Sequence, residues 1–148
     1  MFSQGVGIVF TQKIGAYKDK EAKKICGMGL SLSILLGIFL VILMLTTKNI
    51  FLGFFNLSPE IYKLASDYYT WLALVAIIYP VYYLFYYLVL DDGDNALVTA
   101  SDIVCMISNY LISVFLVERM GISGLALGTS FGSIIAFVVL LNHFFPNK

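Results

Sequence analysis

The stretch VLDDGDNALVTASD, residues 89–102, places four carboxylates in a chain of 148 residues that is 60% hydrophobic and only 12% charged. About a quarter of the residues in a soluble domain are charged, so this composition indicates a membrane protein. Gly93 suits the left-handed residue that ends a helix, and Asp94 suits the cap that begins the next helix. We therefore predict a tight cytoplasmic hairpin here, in which Asp91 and Asp92 keep the turn in water.

Long uncharged stretches lie on both sides of this hairpin, and a helix needs about 20 residues to cross the hydrocarbon core of a bilayer. We predict four transmembrane helices, over residues 25–47, 59–90, 95–117 and 120–142. Residues 1–12 are uncharged but too short to cross, so we interpret them as the end of a further helix. The predicted fold class is an all-α membrane protein with four transmembrane helices and the end of a fifth.

The basic residues set the predicted orientation. Residues 13–24, which we predict to form a loop, contain five lysines, and an excess of Lys and Arg marks cytoplasmic loops. Alternating the helices from this loop also places Lys148 inside, and it leaves Lys48, Lys63 and Arg119 outside. We therefore expect a multi-pass protein of the inner cell membrane. A net charge of zero gives no electrostatic case for binding nucleic acid.

Small residues recur every four positions in two of the predicted helices, the spacing that lets helices approach closely in lipid. They are Gly29, Ser33 and Gly37 in the first helix, and Gly124, Gly128 and Gly132 in the last. We predict that both stripes are packing surfaces. Pro80 removes one backbone donor from the helix predicted over residues 59–90, so we expect a bend there.

Asp102 does not belong to the hairpin, because a helix that begins at Asp94 carries it about 12 Å along the helix axis. The residues on its face are Cys105 or Met106, then Asn109 and Ser113. A carboxylate inside the membrane costs roughly 2.5–3.5 kcal/mol on insertion scales, so this face should turn toward protein or a water-filled cavity. Asp102 is thus a candidate proton or cation site. The alternative is an acid near the helix start that reaches back to cytoplasmic water.

Tyrosines are concentrated toward the inner end of the segment 59–90, at positions 82, 83, 86 and 87. Two interpretations remain open. The aromatic rings could form a belt that anchors the helix at the lipid headgroups. They could instead line a pocket for flat cationic molecules, for which Tyr79 and Tyr83 are our candidates.

Neither of two metal-binding motifs that we compared with the sequence is complete in this chain. Residues 92–96 match the opening of the metal-binding motif of membrane CDP-alcohol phosphotransferases, but Leu97 replaces the required Arg, and the later positions lack the required Gly and Asp residues. The spacing of an EF-hand loop is also absent. We therefore predict a protein that is not an enzyme and that has no resident cofactor or metal.

Five motifs follow one another along nearly the whole chain. They are TQKIGAYKDKEA (11–22), SPEIYKLA (58–65) with Tyr69 and Pro80, DGD (92–94), Asn109, and GISGLALGT (121–129). Their order and spacing resemble the amino-terminal lobe of the multidrug and toxic compound extrusion (MATE) family of secondary transporters. On this resemblance, the chain holds the end of the second family helix and helices three to six.

The resemblance implies an exporter of two six-helix lobes that alternates access around a central cavity, driven by inward flow of protons or sodium. In many relatives the fifth helix carries Asn and, four residues later, Asp, which take part in cation coupling with a nearby Thr on the sixth helix. Asn109 and Thr129 match this pattern, whereas Ser113 stands where the Asp would be. A substitute role for Asp102 is our own inference.

We therefore expect a fragment of a multidrug or cation efflux antiporter, inactive alone because the opposing wall of its cavity is absent. Its expected partners are the lipid bilayer, a second lobe or another copy of the chain, and a small organic, often cationic, substrate. Two alternatives remain open. The chain could be a small four-span structural or interaction protein of the membrane, or a fragment of a lipid-linked precursor flippase.

Overall fold

The computed structural model describes residues 2–144, and within this range the chain forms six α-helices and no strand. The helices are α1 (Phe2–Gly15), α2 (Asp19–Gly53), α3 (Pro59–Val75), α4 (Tyr79–Asp91), α5 (Asn95–Met120) and α6 (Ile122–Leu141). Three of them, α2, α5 and α6, are long and apolar enough to cross a membrane, and α3 with α4 form a fourth, bent, candidate span. The predicted all-α membrane fold is confirmed. Lys148 lies outside the described residues.

The loop predicted over residues 13–24 is wrong for most of its length. Helix α1 continues to Gly15 and α2 begins at Asp19, so only three residues separate them. The ammonium of Lys13 lies 2.8 Å from the carboxylate of Glu21, which ties the two helix ends together. An uncharged stretch marks only the apolar middle of a helix. Lys, Glu and Ala are good helix formers, so the helix can continue into a charged end.

The segment predicted as one bent helix over residues 59–90 is two helices. Helix α3 ends at Val75 and α4 begins at Tyr79, with an angle of 51° between them. Pro80 has no N–H to donate to the carbonyl of Ala76, which accounts for the break. Gly37 of α2 lies against it, since a Cβ added there would be 2.6 Å from the carbonyl oxygen of Ile77.

The turn between α4 and α5 has the predicted geometry. Gly93 adopts a φ of 95°, and the carboxylate of Asp94 accepts a hydrogen bond of 3.1 Å from the Leu97 N–H. His143 also reaches this turn, a contact that the sequence does not indicate: its Nε2 lies 2.8 Å from Asp92 and its Nδ1 lies 3.2 Å from Asp94. The Leu97 amide and the His143 ring together hold the pKa of Asp94 below its usual range. The imidazole therefore joins the end of α6 to this turn.

Asp91 differs from the prediction that it keeps the turn in water. Its Oδ2 atom is buried and has no hydrogen-bond partner among residues 2–144. The atom lies against α1, because a Cβ added to Gly7 would overlap it. Of the two carboxylates assigned to water, only that of Asp92 is exposed.

Both predicted stripes of small residues lie at helix contacts. In α6, a Cβ on Gly124 would be 2.6 Å from the carbonyl carbon of Leu116, and one on Gly132 would be 2.9 Å from the carbonyl oxygen of Cys105. Gly128 lies against α5 in the same way. The α6 stripe therefore lets the backbones of α5 and α6 approach closely. The α2 stripe faces α1, α4 and the break, through Gly29 and Gly37.

We predict that Gly124→Ala destabilises the protein by about 1–3 kcal/mol, because the added methyl group meets backbone atoms that cannot move aside. Gly27→Ala is the matched control, since a Cβ at Gly27 meets nothing within 4 Å. Thermal unfolding of both variants in the same detergent measures the effect. Equal unfolding temperatures for the two variants would contradict the close packing of α5 on α6.

We also predict an acid-dependent loss of stability through Asp94. The pKa of Asp94 is lowered in the folded state, whereas an Asp side chain in the unfolded chain has a pKa of about 3.9. The carboxylate therefore stabilises the fold above that pH, and this contribution disappears as the pH falls through the folded-state value. In Asp94→Asn the amide still caps α5 but does not titrate. Unfolding temperatures measured over a pH series should fall less steeply for this variant, and parallel curves would contradict the assignment.

Candidate functional site

Helices α4, α5 and α6 surround a pocket of about 690 Å³ that is open on one side. Five tyrosines of α4 form much of its wall, at positions 79, 82, 83, 86 and 87. These spacings of three and four residues place all five rings on one face of the helix. Helix α5 contributes Asp102 and Cys105, and α6 contributes Thr129 and Ser133.

Asp102 lies in the wall of this pocket. Among the residues described, it is the only acid that lines it. The hydroxyl of Tyr86 donates a hydrogen bond of 3.2 Å to its Oδ2 atom. The carboxylate thus faces tyrosine side chains of α4 and remains exposed to the pocket, an arrangement that matches the predicted turn toward a cavity.

The tyrosines form a continuous aromatic surface. The ring centroids of Tyr82 and Tyr83 are 5.3 Å apart, and those of Tyr82 and Tyr86 are 6.0 Å apart, both within the range of favourable aromatic contacts. Tyr82 is only 6% exposed and belongs to the hydrophobic core. Both candidates for a pocket, Tyr79 and Tyr83, lie in the pocket wall.

A polar network lies between α5 and α6. The Asn109 amide donates a hydrogen bond of 3.4 Å to the Thr129 hydroxyl, and the Ser113 hydroxyl donates one of 3.0 Å to the Asn109 carbonyl oxygen. Thr129 in turn donates to the carbonyl of Leu125. These groups satisfy one another where lipid would leave them without partners. Thr129 belongs both to this network and to the pocket wall.

The candidate residues thus fall into two adjoining groups. Asp102 and Thr129 line the pocket, whereas Asn109 and Ser113 lie along the contact between α5 and α6. Asn109 follows Asp102 by seven positions, which is about 10 Å along a helix axis. Ser113 is 8% exposed, and a Cβ added to Gly128 would overlap its hydroxyl. Close packing therefore surrounds the side chain of Ser113.

The faces of α5 divide as the sequence pattern predicts. Cys105 lies in the pocket wall, whereas Met106 is 67% exposed, so Cys105 belongs to the polar face and Met106 does not. Ile107 and Leu111 are 50% and 60% exposed on the other side. Apolar side chains therefore cover the surface that lipid would contact.

Ser133 is a pocket residue that was not among the predicted site residues. It follows Thr129 by four positions on α6, so both side chains lie on one helix face. That spacing was visible in the sequence. Tyr86 was identified only as an aromatic residue, because no sequence pattern shows that a residue of α4 meets Asp102, 16 positions later, across the hairpin.

A second groove of similar volume lies between α1 and α2. Its wall includes Phe2, Val6, Met28 and Leu32, with Lys24 and Ser31 as its polar members. Such a surface suits lipid tails or another apolar helix. It offers no acid and no cluster of polar groups that would orient a ligand, so we do not assign a site there.

Metal-binding side chains do not converge in the part of the chain that the structure describes. No group of three or more His, Cys, Asp or Glu residues there could hold a metal ion. His143 contacts two carboxylates, but through its two separate ring nitrogens, which point in different directions. Cys26 and Cys105 are free thiols.

Two comparisons with known proteins identify relatives of the chain. A family model described as MatE matches residues 1–115. A solved structure titled as the inward-facing conformation of a multidrug resistance MATE family transporter of the MOP superfamily matches with a TM-score of 0.88 at 19% sequence identity. The match covers 99% of this chain and 35% of the transporter, so the chain spans about a third of that length. No curated protein matches the sequence.

Proposed function

This chain belongs to the MATE family, and from that premise we propose that it forms part of one lobe of a secondary multidrug efflux transporter. The observation that carries the proposal is Asp102, held by Tyr86 in a pocket walled by five tyrosines. The pocket is proposed to bind small organic cations. Because the chain spans about a third of the similar transporter, transport is proposed for a larger assembly.

The chemistry of the pocket suits a flat cation. Tyrosine faces attract positive charge through the ring quadrupole, and the carboxylate of Asp102 supplies one full negative charge. Tyr86 binds its Oδ2 atom, which leaves Oδ1 available to a bound cation. Thr129 and Ser133 add hydroxyls on the opposite wall, which would fix the orientation of a ligand with a polar group.

Asp102 is also our candidate for the coupling ion, either a proton or sodium. Asn109, Ser113 and Thr129 offer oxygen atoms but no charge, and Ser113 replaces the acid of many relatives. Asp102 lies about 10 Å from Asn109 along α5, with Thr129 between the network and the pocket. A cation that displaces a proton or sodium from this carboxylate would couple export to the inward ion flow.

The second wall of the cavity is proposed to come from another lobe or another copy of the chain. The pocket is open on one side, which gives a second lobe access to it. With the lysine-rich turn between α1 and α2 in the cytoplasm, the open pocket would lie within an inner cell membrane. The chain alone is therefore proposed to bind substrate without transporting it.

The alternative of a structural protein that packs through its glycine stripes is disfavoured by the contacts within the chain. Gly124, Gly128 and Gly132 already lie against α5, and Gly29 and Gly37 already face α1, α4 and the break. Neither stripe is therefore free to receive a partner helix. The match to the MatE family model favours a drug transporter over a lipid-linked precursor flippase.

We predict that vesicles containing only this chain show no efflux of a fluorescent organic cation under an imposed proton or sodium gradient. The physical reason is that one cavity wall cannot close the pathway on either side. Fluorescence inside loaded vesicles measures the loss of substrate. Gradient-driven efflux that depends on this chain would contradict the requirement for a second lobe.

We predict that Asp102→Asn weakens binding of an aromatic monocation to the reconstituted chain at least about tenfold, which corresponds to 1.4 kcal/mol. The loss follows because the variant removes the negative charge of the pocket and retains its shape. Glu118→Gln is the control, since it removes an exposed acid of the same helix far from the pocket. Fluorescence titration measures both, and equal affinities for the two variants would overturn the proposed site.

A further inference from the structure

The three carboxylates near the turn between α4 and α5 have different surroundings. Those of Asp92 and Asp94 each contact a nitrogen of His143. That of Asp91 has no such contact, and its Oδ2 atom is buried without a hydrogen-bond partner among residues 2–144. Asp91 is therefore the carboxylate of this turn that lacks a compensating group.

The backbone of α1 covers the carboxyl group of Asp91. A Cβ added to Gly7 would overlap Oδ2 of Asp91 and would lie 3.0 Å from the carbonyl oxygen of Tyr87. Gly7 is itself buried. At this point α1 contributes only backbone to its contact with α4, and it excludes water from one side of the Asp91 carboxyl group.

Two physical effects act in the same direction on this group. The Oδ2 atom is buried without a donor, although the residue as a whole is only partly buried, and such burial disfavours the ionised form of a carboxyl group. Asp91 is the last residue of α4, and the negative end of a helix dipole disfavours an anion there.

No positive side chain among residues 2–144 forms a salt bridge with Asp91. On α1, Lys13 pairs with Glu21 of α2, 2.8 Å away. At the end of α6, His143 contacts Asp92 and Asp94. The other charged residues of α2 are Asp19, Lys20, Lys23, Lys24 and, at its far end, Lys48. Within the described range none of their side chains forms a salt bridge with Asp91.

We propose that Asp91 is a proton-binding site that keeps its proton to a higher pH than an ordinary Asp and is separate from the tyrosine pocket. A protonated carboxyl group gains an O–H donor, and the carbonyl of Tyr87, one helical turn earlier, lies on the same side as an acceptor. The bound proton removes the cost of burying a charge against Gly7. Separation of α1 from α4 would admit water to the carboxyl group and release the proton.

This site deepens the proposed transport function by naming the proton as an ion that the lobe carries. Its role in coupling rests on that function, but the protonation of Asp91 does not. Proton release at the contact between α1 and α4 would make their packing depend on pH. A transporter lobe that moves as a body during alternating access could use such a contact to sense cytoplasmic pH.

Infrared difference spectroscopy of the full chain in lipid bilayers tests the proposal. As the pH is lowered, one component of the carbonyl stretch of protonated carboxylic acids should appear well above the ordinary Asp value of about 3.9. It should be present in the wild type and in Asp102→Asn, and absent from Asp91→Asn. The control is Asp92→Asn, which removes an exposed carboxylate of the same turn and should leave this band unchanged. A wild-type band that appears only near the ordinary value, or a spectrum that Asp91→Asn leaves unchanged, would overturn the proposal.

A second variant tests the cover over the site. Gly7→Ala should push the carboxyl group toward water, so that the band appears only as the pH approaches the ordinary Asp value of about 3.9. Gly5→Ala is the control, because a Cβ at Gly5 meets nothing within 4 Å. An unchanged band in folded Gly7→Ala would refute the role of the α1 contact. If Gly7→Ala does not fold, the Asp91→Asn spectrum decides alone.

The spectra also separate this proposal from the transport function. If the band is assigned to Asp91 while Asp102→Asn has no effect on cation binding, the proton site stands and the proposed substrate pocket fails. If cation binding depends on Asp102 while the band is absent, the substrate pocket stands and the proton site fails.

Discussion

The hydrocarbon core of a membrane has no water to satisfy polar groups, and this constraint determines how α5 must be placed. The helix carries an acid, an amide and a hydroxyl along one face, at Asp102, Asn109 and Ser113. Each would be costly against lipid tails. The fold meets the cost by turning this face toward α4 and α6, so that the lipid side is left to apolar side chains such as Ile107 and Leu111, both well exposed.

The small residues of α6 make that placement possible. Without side chains at Gly128 and Gly132, α5 approaches closely enough for Asn109 to reach Thr129. The same stripe therefore provides both the helix contact and the satisfied polar network. Toward the first residues of α5, the network gives way to the tyrosine pocket, where Asp102 keeps one hydrogen bond and its exposure. The contact with α6, the polar network and the proposed binding site thus lie along one face of α5.

Much of this arrangement could be predicted from sequence, because the spacing of polar residues indicates which face of a helix is buried and charged residues with glycine indicate where a turn lies. The turn at Gly93, the break near Pro80 and the inward face of α5 each follow from a local rule. Contacts across the chain could not be predicted in this way. The sequence does not show that His143 returns to the start of α5, or that Asp91 lies beneath Gly7, because both depend on how separate helices pack. The prediction of a loop over residues 13–24 is wrong for another reason. It places charged residues outside the helices, whereas here they form the helix ends.

The orientation of α5 is the claim on which the binding site depends, and spin labels placed at two of its positions in lipid bilayers test it directly. Asp102→Cys carries one label and Ile107→Cys the other, and collision with a water-soluble relaxation agent is compared with collision with oxygen, which is enriched in lipid. The structure predicts that the label at 102 meets the water-soluble agent and the label at 107 meets oxygen. The reverse pattern would show that the acid faces lipid and would contradict the assignment of the pocket.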